Sequence, residues 1–110
     1  MKFVELDAVA FKSQIDSISN VCLIDVRDEY EFEESNLGGN NIPMGEVLSN
    51  LSQLKNRESL YILCTSGNRS KAIAYHLSKE LNGCSIYSCI GGIQALKELS
   101  WAGQLKKTFF

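Results

Sequence analysis

The chain predicts an α/β domain built on buried parallel strands, and three observations carry this. Leu60-Tyr61-Ile62-Leu63 is apolar without interruption, as a strand covered on both faces requires. Val21 to Val26 is a second such run, apolar until Asp25. A helical period then follows the first run, with Ile73, Ala74, Leu77 and Leu81 falling on one face of a segment from Ser70 to Leu81. At 110 residues, with 45% hydrophobic and 22% charged residues, a single domain over 1–110 with one modest core is expected.

In chain order, Lys2 to Leu6 reads as a short opening strand. Asp7 is placed to cap a helix running to about Ser17, with Ala8, Phe11 and Ile15 on its apolar face. Ser19-Asn20 breaks it, and Val21 to Val26 forms the next strand, with Cys22 as buried filler. Asp28 to Glu34 reads as a short helix with Tyr30 facing inward beside Phe32 and its acids forming a solvated face. Pro43 punctuates the entry to a helix over Glu46 to Leu54, whose apolar positions are Val47, Leu48, Leu51 and Leu54. Asn56 to Ser59 is a polar turn into the Leu60 strand. Asn82-Gly83 ends the helix begun at Ser70. Cys84 to Ile90 contains another strand, and Gly91-Gly92 turns into a helix starting near Ile93. Trp101 and Thr108-Phe109-Phe110 are expected either to close the core or to leave an apolar patch for a partner.

Chemistry is expected in the loop Cys64-Thr65-Ser66-Gly67-Asn68-Arg69-Ser70, which joins the buried strand to the helix. In open α/β sheets, ligands collect at the carboxyl ends of strands. Gly67 permits a turn whose amides point inward as an anion-binding concavity, and the following helix adds its positive N-terminal end. The same field favours a thiolate at Cys64, and Arg69 adds a fixed positive charge. A buried structural thiol would need neither the glycine nor the arginine. Asp25 and Arg27 fall at the carboxyl end of their own strand, hence on the same sheet edge. They read chiefly as a structural ion pair, with contact to the active loop as the functional alternative. Cys89 also ends a strand; it reads as a buried small hydrophobe, against the sharper role of forming a disulfide with Cys64. His76, the one histidine, lies nearly two helical turns from the loop and reads as surface rather than as a base for Cys64.

Composition narrows the remaining classes. A net charge of −2 argues against a nucleic-acid surface, which needs clustered positive charge. No stretch reaches the length of a membrane span, and the opening residues do not form a secretory leader. The four cysteines have no C-x-x-C pair and no metal-ligand spacing, so a reduced, cytoplasmic protein without metal or cofactor is expected.

Four pieces in order resemble one family. Cys64 to Ser70 fits the C-x-x-G-x-R-S loop of rhodanese-like sulfurtransferases; Leu23-Ile24-Asp25-Val26-Arg27 resembles their L-I-D-V-R signature. Asn41-Ile42-Pro43 resembles their N-I-P turn, and Ile90 to Leu96 resembles the closing G-G-x-x-A-W segment, with Leu96 in place of Trp. Asn36 to Glu46 is similar to rhodanese domains fused behind adenylating enzymes, which deliver sulfur to small sulfur-carrier proteins. The resemblance implies a five-stranded, mostly parallel sheet with helices on both faces. It also implies transfer of sulfane sulfur from thiosulfate or a persulfide to a thiol, cyanide or protein acceptor through a Cys64 persulfide, held by the amides of Thr65 to Arg69. Asp25, Arg27, Gly91 and Gly92 would support the loop. A sulfur-carrier or thioredoxin-like protein is the implied partner, with no part for nucleic acid or membrane. Two rivals remain: a silent regulatory or binding module, and a relative of the C-x5-R phosphatases. Four residues separate Cys64 from Arg69, one fewer than a phosphate cradle uses, which favours sulfur.

Overall fold

The computed structural model describes residues 3–99. The elements run β1 (Val4–Leu6), α1 (Ala8–Ser17), β2 (Leu23–Asp25), α2 (Glu29–Glu34), β3 (Asn40–Asn41), a 3-10 segment (Met44–Asn50), α3 (Leu51–Leu54), β4 (Ser59–Leu63), α4 (Asn68–Glu80), β5 (Ser85–Cys89) and α5 (Gly92–Lys97). The five strands form one sheet in the order β1-β5-β4-β2-β3. Every pairing is parallel, so the sheet is wholly rather than mostly parallel.

Alternation along the central strands divides the core in two. Leu60 and Ile62 of β4 point to one face, where Ile24, Val26 and Ile86 meet Val47, Leu54, Ile73, Ala74, Leu77 and Leu81. Tyr61 and Leu63 point to the other, where they meet Ala8, Phe11 and Ile15 of α1 and Ile93 and Leu96 of α5. Helices therefore cover both faces. Leu96, standing where the family pattern has Trp, is fully buried. Tyr61 is also buried, but its hydroxyl donates to Gln14 Oε1 at 2.8 Å, so its polar end is satisfied.

Local rules account for most boundaries. The Asp7 carboxylate accepts the Ala10 N–H at 2.8 Å and starts α1. Cys22 is buried and Gly67 turns the chain, as expected, but two faces differ from expectation. Tyr30 does not point inward: it is 65% exposed, and α2 buries no residue, so this six-residue helix is held by polar contacts rather than by an apolar stripe. The segment expected as one helix over Glu46 to Leu54 is a 3-10 stretch followed by a single α turn. Tightening to three residues per turn rotates Leu48 out to solvent while Val47 and Leu54 stay buried. Lys2, Trp101 and Thr108-Phe109-Phe110 lie outside the described residues.

The topology prepares a site. The chain leaves β2 towards β3 and leaves β4 towards β5, in opposite directions across the sheet. The carboxyl ends of β2 and β4 thus flank a switch point, where open α/β sheets bind ligands.

Candidate active site

Cys64 follows the last residue of β4 and is fully buried. Its Sγ accepts two backbone N–H groups, from Gly67 at 3.1 Å and from Ser70 at 3.3 Å. Gly67 is the turn residue that makes this possible, with φ of +99° immediately before α4. A side chain there would come within 2.9 Å of the Cys89 carbonyl oxygen. The sulfur therefore sits between two backbone donors at the N-terminus of a 13-residue helix.

The β5–α5 turn closes the back of the loop. Ile93 N–H donates to the Cys64 carbonyl at 2.9 Å and Gln94 N–H to the Thr65 carbonyl at 3.1 Å. Gly92, at φ of +57°, is required here: a Cβ would strike the Cys64 carbonyl oxygen and lie 2.6 Å from that of Thr65. Ser70 adds a second tie. Its hydroxyl donates to the Gly67 carbonyl at 3.1 Å and meets the Ser88 hydroxyl of β5 at 2.8 Å, both serines being buried. Gly91 and Gly92 thus lie against the loop. Ser88, Ile93 and Gln94 were not anticipated. Ser88 carried a signal, since it shares the buried face of β5 with Ile86, where a polar side chain needs a partner.

The two arginines have different surroundings. Arg27 grips Asp25 through Nε at 3.0 Å and Nη2 at 2.9 Å and also donates to the Ser35 carbonyl at 2.8 Å. The pair ties the β2 exit to the stretch after α2; neither residue bonds a group of the 64–70 loop among the described contacts. Arg69 grips Glu31 of α2, with Nη1 to Oε1 at 2.7 Å and Nη2 to Oε2 at 3.1 Å, and its Nη2 lies 3.4 Å from Thr65 Oγ1. Glu31 Oε1 also accepts the Asp28 N–H at 2.9 Å, so the carboxylate is held from two sides. The bonds from Arg69 and from Asp28 hold the Glu31 carboxyl down at about 2. The acids of α2 are thus not merely a solvated face. Nothing in local spacing singles out Glu31, 38 residues from its partner.

Burial pushes the Cys22 thiol up to about 11 and the Cys89 thiol up to about 12. Cys89 faces the α1–α5 side of the sheet, whereas Cys64 faces the α3–α4 side. Opposite faces of the sheet separate the two side chains, and Cys89 packs among buried apolar residues of the α1–α5 side. His76 is exposed on α4, edge-on to Tyr75 at 5.6 Å. Among the described residues no cluster of His, Cys, Asp or Glu is arranged to hold a metal ion. No helix there is long and apolar enough to cross a membrane.

The rhodanese-like domain model matches residues 7–99, which takes in every element except β1. The chain belongs to the rhodanese-like domain family. This rhodanese-like domain is similar in structure to a rhodanese-related protein from Thermoplasma volcanium, with a TM-score of 0.77 and 27% identity, over 94% of this chain and 100% of that one. It is 35% identical over 77 residues to YrkF of Bacillus subtilis (strain 168), a candidate sulfur carrier protein, covering 69% of this chain and 42% of YrkF. It is 33% identical over 95 residues to the adenylyltransferase and sulfurtransferase MOCS3 of Drosophila persimilis, covering 79% of this chain and 20% of MOCS3. The domain thus spans well under two thirds of these two relatives. The second match agrees with the likeness of Asn36 to Glu46 to rhodanese domains fused behind adenylating enzymes.

Proposed function

We propose that this rhodanese-like domain is a sulfurtransferase that carries sulfane sulfur as a persulfide on Cys64. The observation that carries the reading is the pair of amides, from Gly67 and Ser70, aimed at Cys64 Sγ from a loop clamped on both sides. Such donors stabilise negative charge on sulfur before and after transfer, as an oxyanion hole does for oxygen. Preorganisation is supplied by Gly92 and by the Ser70–Ser88 contact, which hold the loop in place without substrate.

The chemistry is covalent and of the ping-pong kind. Cys64 thiolate attacks the outer sulfur of the donor. A new S–S bond forms at Cys64 while the donor's own S–S bond breaks, and its electron pair leaves with sulfite or with a thiolate. The amides of Thr65 to Arg69 surround the outer sulfur. An incoming thiolate or cyanide then takes that sulfur, and the electron pair returns to Cys64. No base is needed, which suits a loop with no histidine beside it. Cys64 presents no surface to solvent, so donor and acceptor reach its sulfur only when atoms around it move. The names of YrkF and MOCS3 support a protein acceptor of the sulfur-carrier type. A phosphatase is less well supported, because the guanidinium that a phosphoryl group would need is engaged by Glu31.

Intact-mass analysis of the reduced protein after incubation with thiosulfate or a hydropersulfide tests the reading. A gain of one sulfur atom, reversed by thiol reductant, mapped to Cys64 and absent in Cys64→Ala, is the expected result. No gain from either donor overturns it.

A further inference from the structure

Resting on that sulfur-transfer reading, we infer that the Glu31–Arg69 pair is a charge filter that makes the site select hydropersulfide donors of little net charge over the thiosulfate dianion. Arg69 is the cation of the loop, and both of its terminal nitrogens are turned to one carboxylate, at 2.7 and 3.1 Å. Its field is shared with Asp28 as well as with Cys64. One guanidinium therefore faces two carboxylates beside a sulfur that reacts as an anion. Exposed Glu29, Glu33 and Glu34 of α2 add charge of the same sign beyond them.

The neighbouring cations do not offset this. Arg27 acts on Glu31 through space as well, but its charge is matched by Asp25, to which it is locked with 8% and 0% of their side chains exposed. Lys71, next along α4, is turned towards Glu5 of β1 at 3.6 Å. A dianion approaching Cys64 therefore meets a rim of negative balance, and like charge lowers its encounter rate. A donor such as cysteamine persulfide, whose ammonium balances its persulfide anion, pays no such penalty. Its transfer is balanced within the pair: Cys64 thiolate takes the outer sulfur, and cysteamine leaves as its thiolate.

Glu31 touches neither sulfur nor donor in this scheme. It is a positioning residue that acts through Arg69, so the decisive readout is discrimination between donors rather than total activity. Single-turnover loading of Cys64 is measured with thiosulfate and with cysteamine persulfide, in the wild type and in Glu31→Gln. Freed from its carboxylate, Arg69 should raise kcat/KM for thiosulfate by about tenfold or more, as expected for an electrostatic change at a cleft. Most of that gain should appear in KM, and the value for cysteamine persulfide should stay within about twofold. Glu31→Gln/Arg69→Met should lose the gain.

The wild type supplies an arm that does not depend on any variant folding. Added KCl should raise kcat/KM for thiosulfate, because it screens repulsion, and leave the net-neutral donor unchanged. Equal loading by both donors, with a thiosulfate rate that falls with salt, overturns the filter and leaves sulfur transfer standing. So does a Glu31→Gln variant that folds and keeps the wild-type ratio. Failure of every donor to load wild-type Cys64 overturns the sulfur-transfer reading, and the filter with it.

Discussion

Two arginine–carboxylate pairs stand at the same edge of the sheet, built from the same chemistry and separated by burial. Asp25–Arg27 is sealed, with side chains 0% and 8% exposed, and its partners are two residues apart in the chain. Glu31–Arg69 is open, with side chains 22% and 33% exposed, and its partners are 38 residues apart. In the sealed pair each charge is committed to the other and to the backbone around it. In the open pair water competes, so the same two-pronged geometry contributes little to stability and is free to set the field of the site. The difference teaches that a bidentate contact alone does not assign a role; the dielectric around it does.

The contrast breaks most visibly at Asp25. Asp25→Asn leaves a buried guanidinium without its counter-charge and should cost about 3–5 kcal/mol, the usual penalty for halving a buried pair. Urea unfolding reads it, and a loss under about 1 kcal/mol would place this pair in the surface class. Next in size is the turn that braces the Arg69 loop. Gly92→Ala forces a side chain into a positive-φ position against two carbonyl oxygens. The backbone strain alone should cost about 1–3 kcal/mol. Its stability, read by urea unfolding, and its rate of Cys64 loading should fall together; wild-type values for both would show that the turn yields.

Glu31→Gln should be the mild member of the comparison. An exposed pair of this kind is worth under about 1 kcal/mol, so the urea midpoint should barely move while donor preference changes. A drop as large as that of Asp25→Asn would erase the distinction between the pairs. The smallest effect is the pH dependence. The Glu31 carboxyl sits at about 2 in the folded protein against an ordinary 4.5. A depressed carboxyl contributes its stability fully above the ordinary value and loses it as pH falls towards the folded one. The wild type should therefore exceed Glu31→Gln by a constant margin down to about pH 5, and the margin should vanish near pH 2. Carboxyl-carbon NMR of Glu31 checks the cause directly, and a midpoint near 4.5 would deny the ion pair in solution.

The sequence alone settled what depends on neighbours a few residues apart. The uninterrupted run Leu60 to Leu63, the period through Ile73, Ala74, Leu77 and Leu81, the cap at Asp7 and the turn at Gly67 are each encoded within one or two turns of chain, and the structure has them all. The sequence put Asp25 and Arg27 close enough to pair but left contact with the active loop as an alternative, and the structure shows the pair. Tertiary structure decided the rest. Periodicity says which residues share a face but not whether that face meets anything, so Tyr30 and Leu48 ended in solvent. Alternation placed Cys89 across the sheet from Cys64, a consequence of strand register that no spacing of cysteines reveals. Gly92 is needed because the Cys64–Thr65 backbone, far away in sequence, leaves no room for a side chain there. Glu31 became the partner of Arg69 only when β2 and β4 were laid side by side, since charges so far apart in sequence meet by topology and not by pattern.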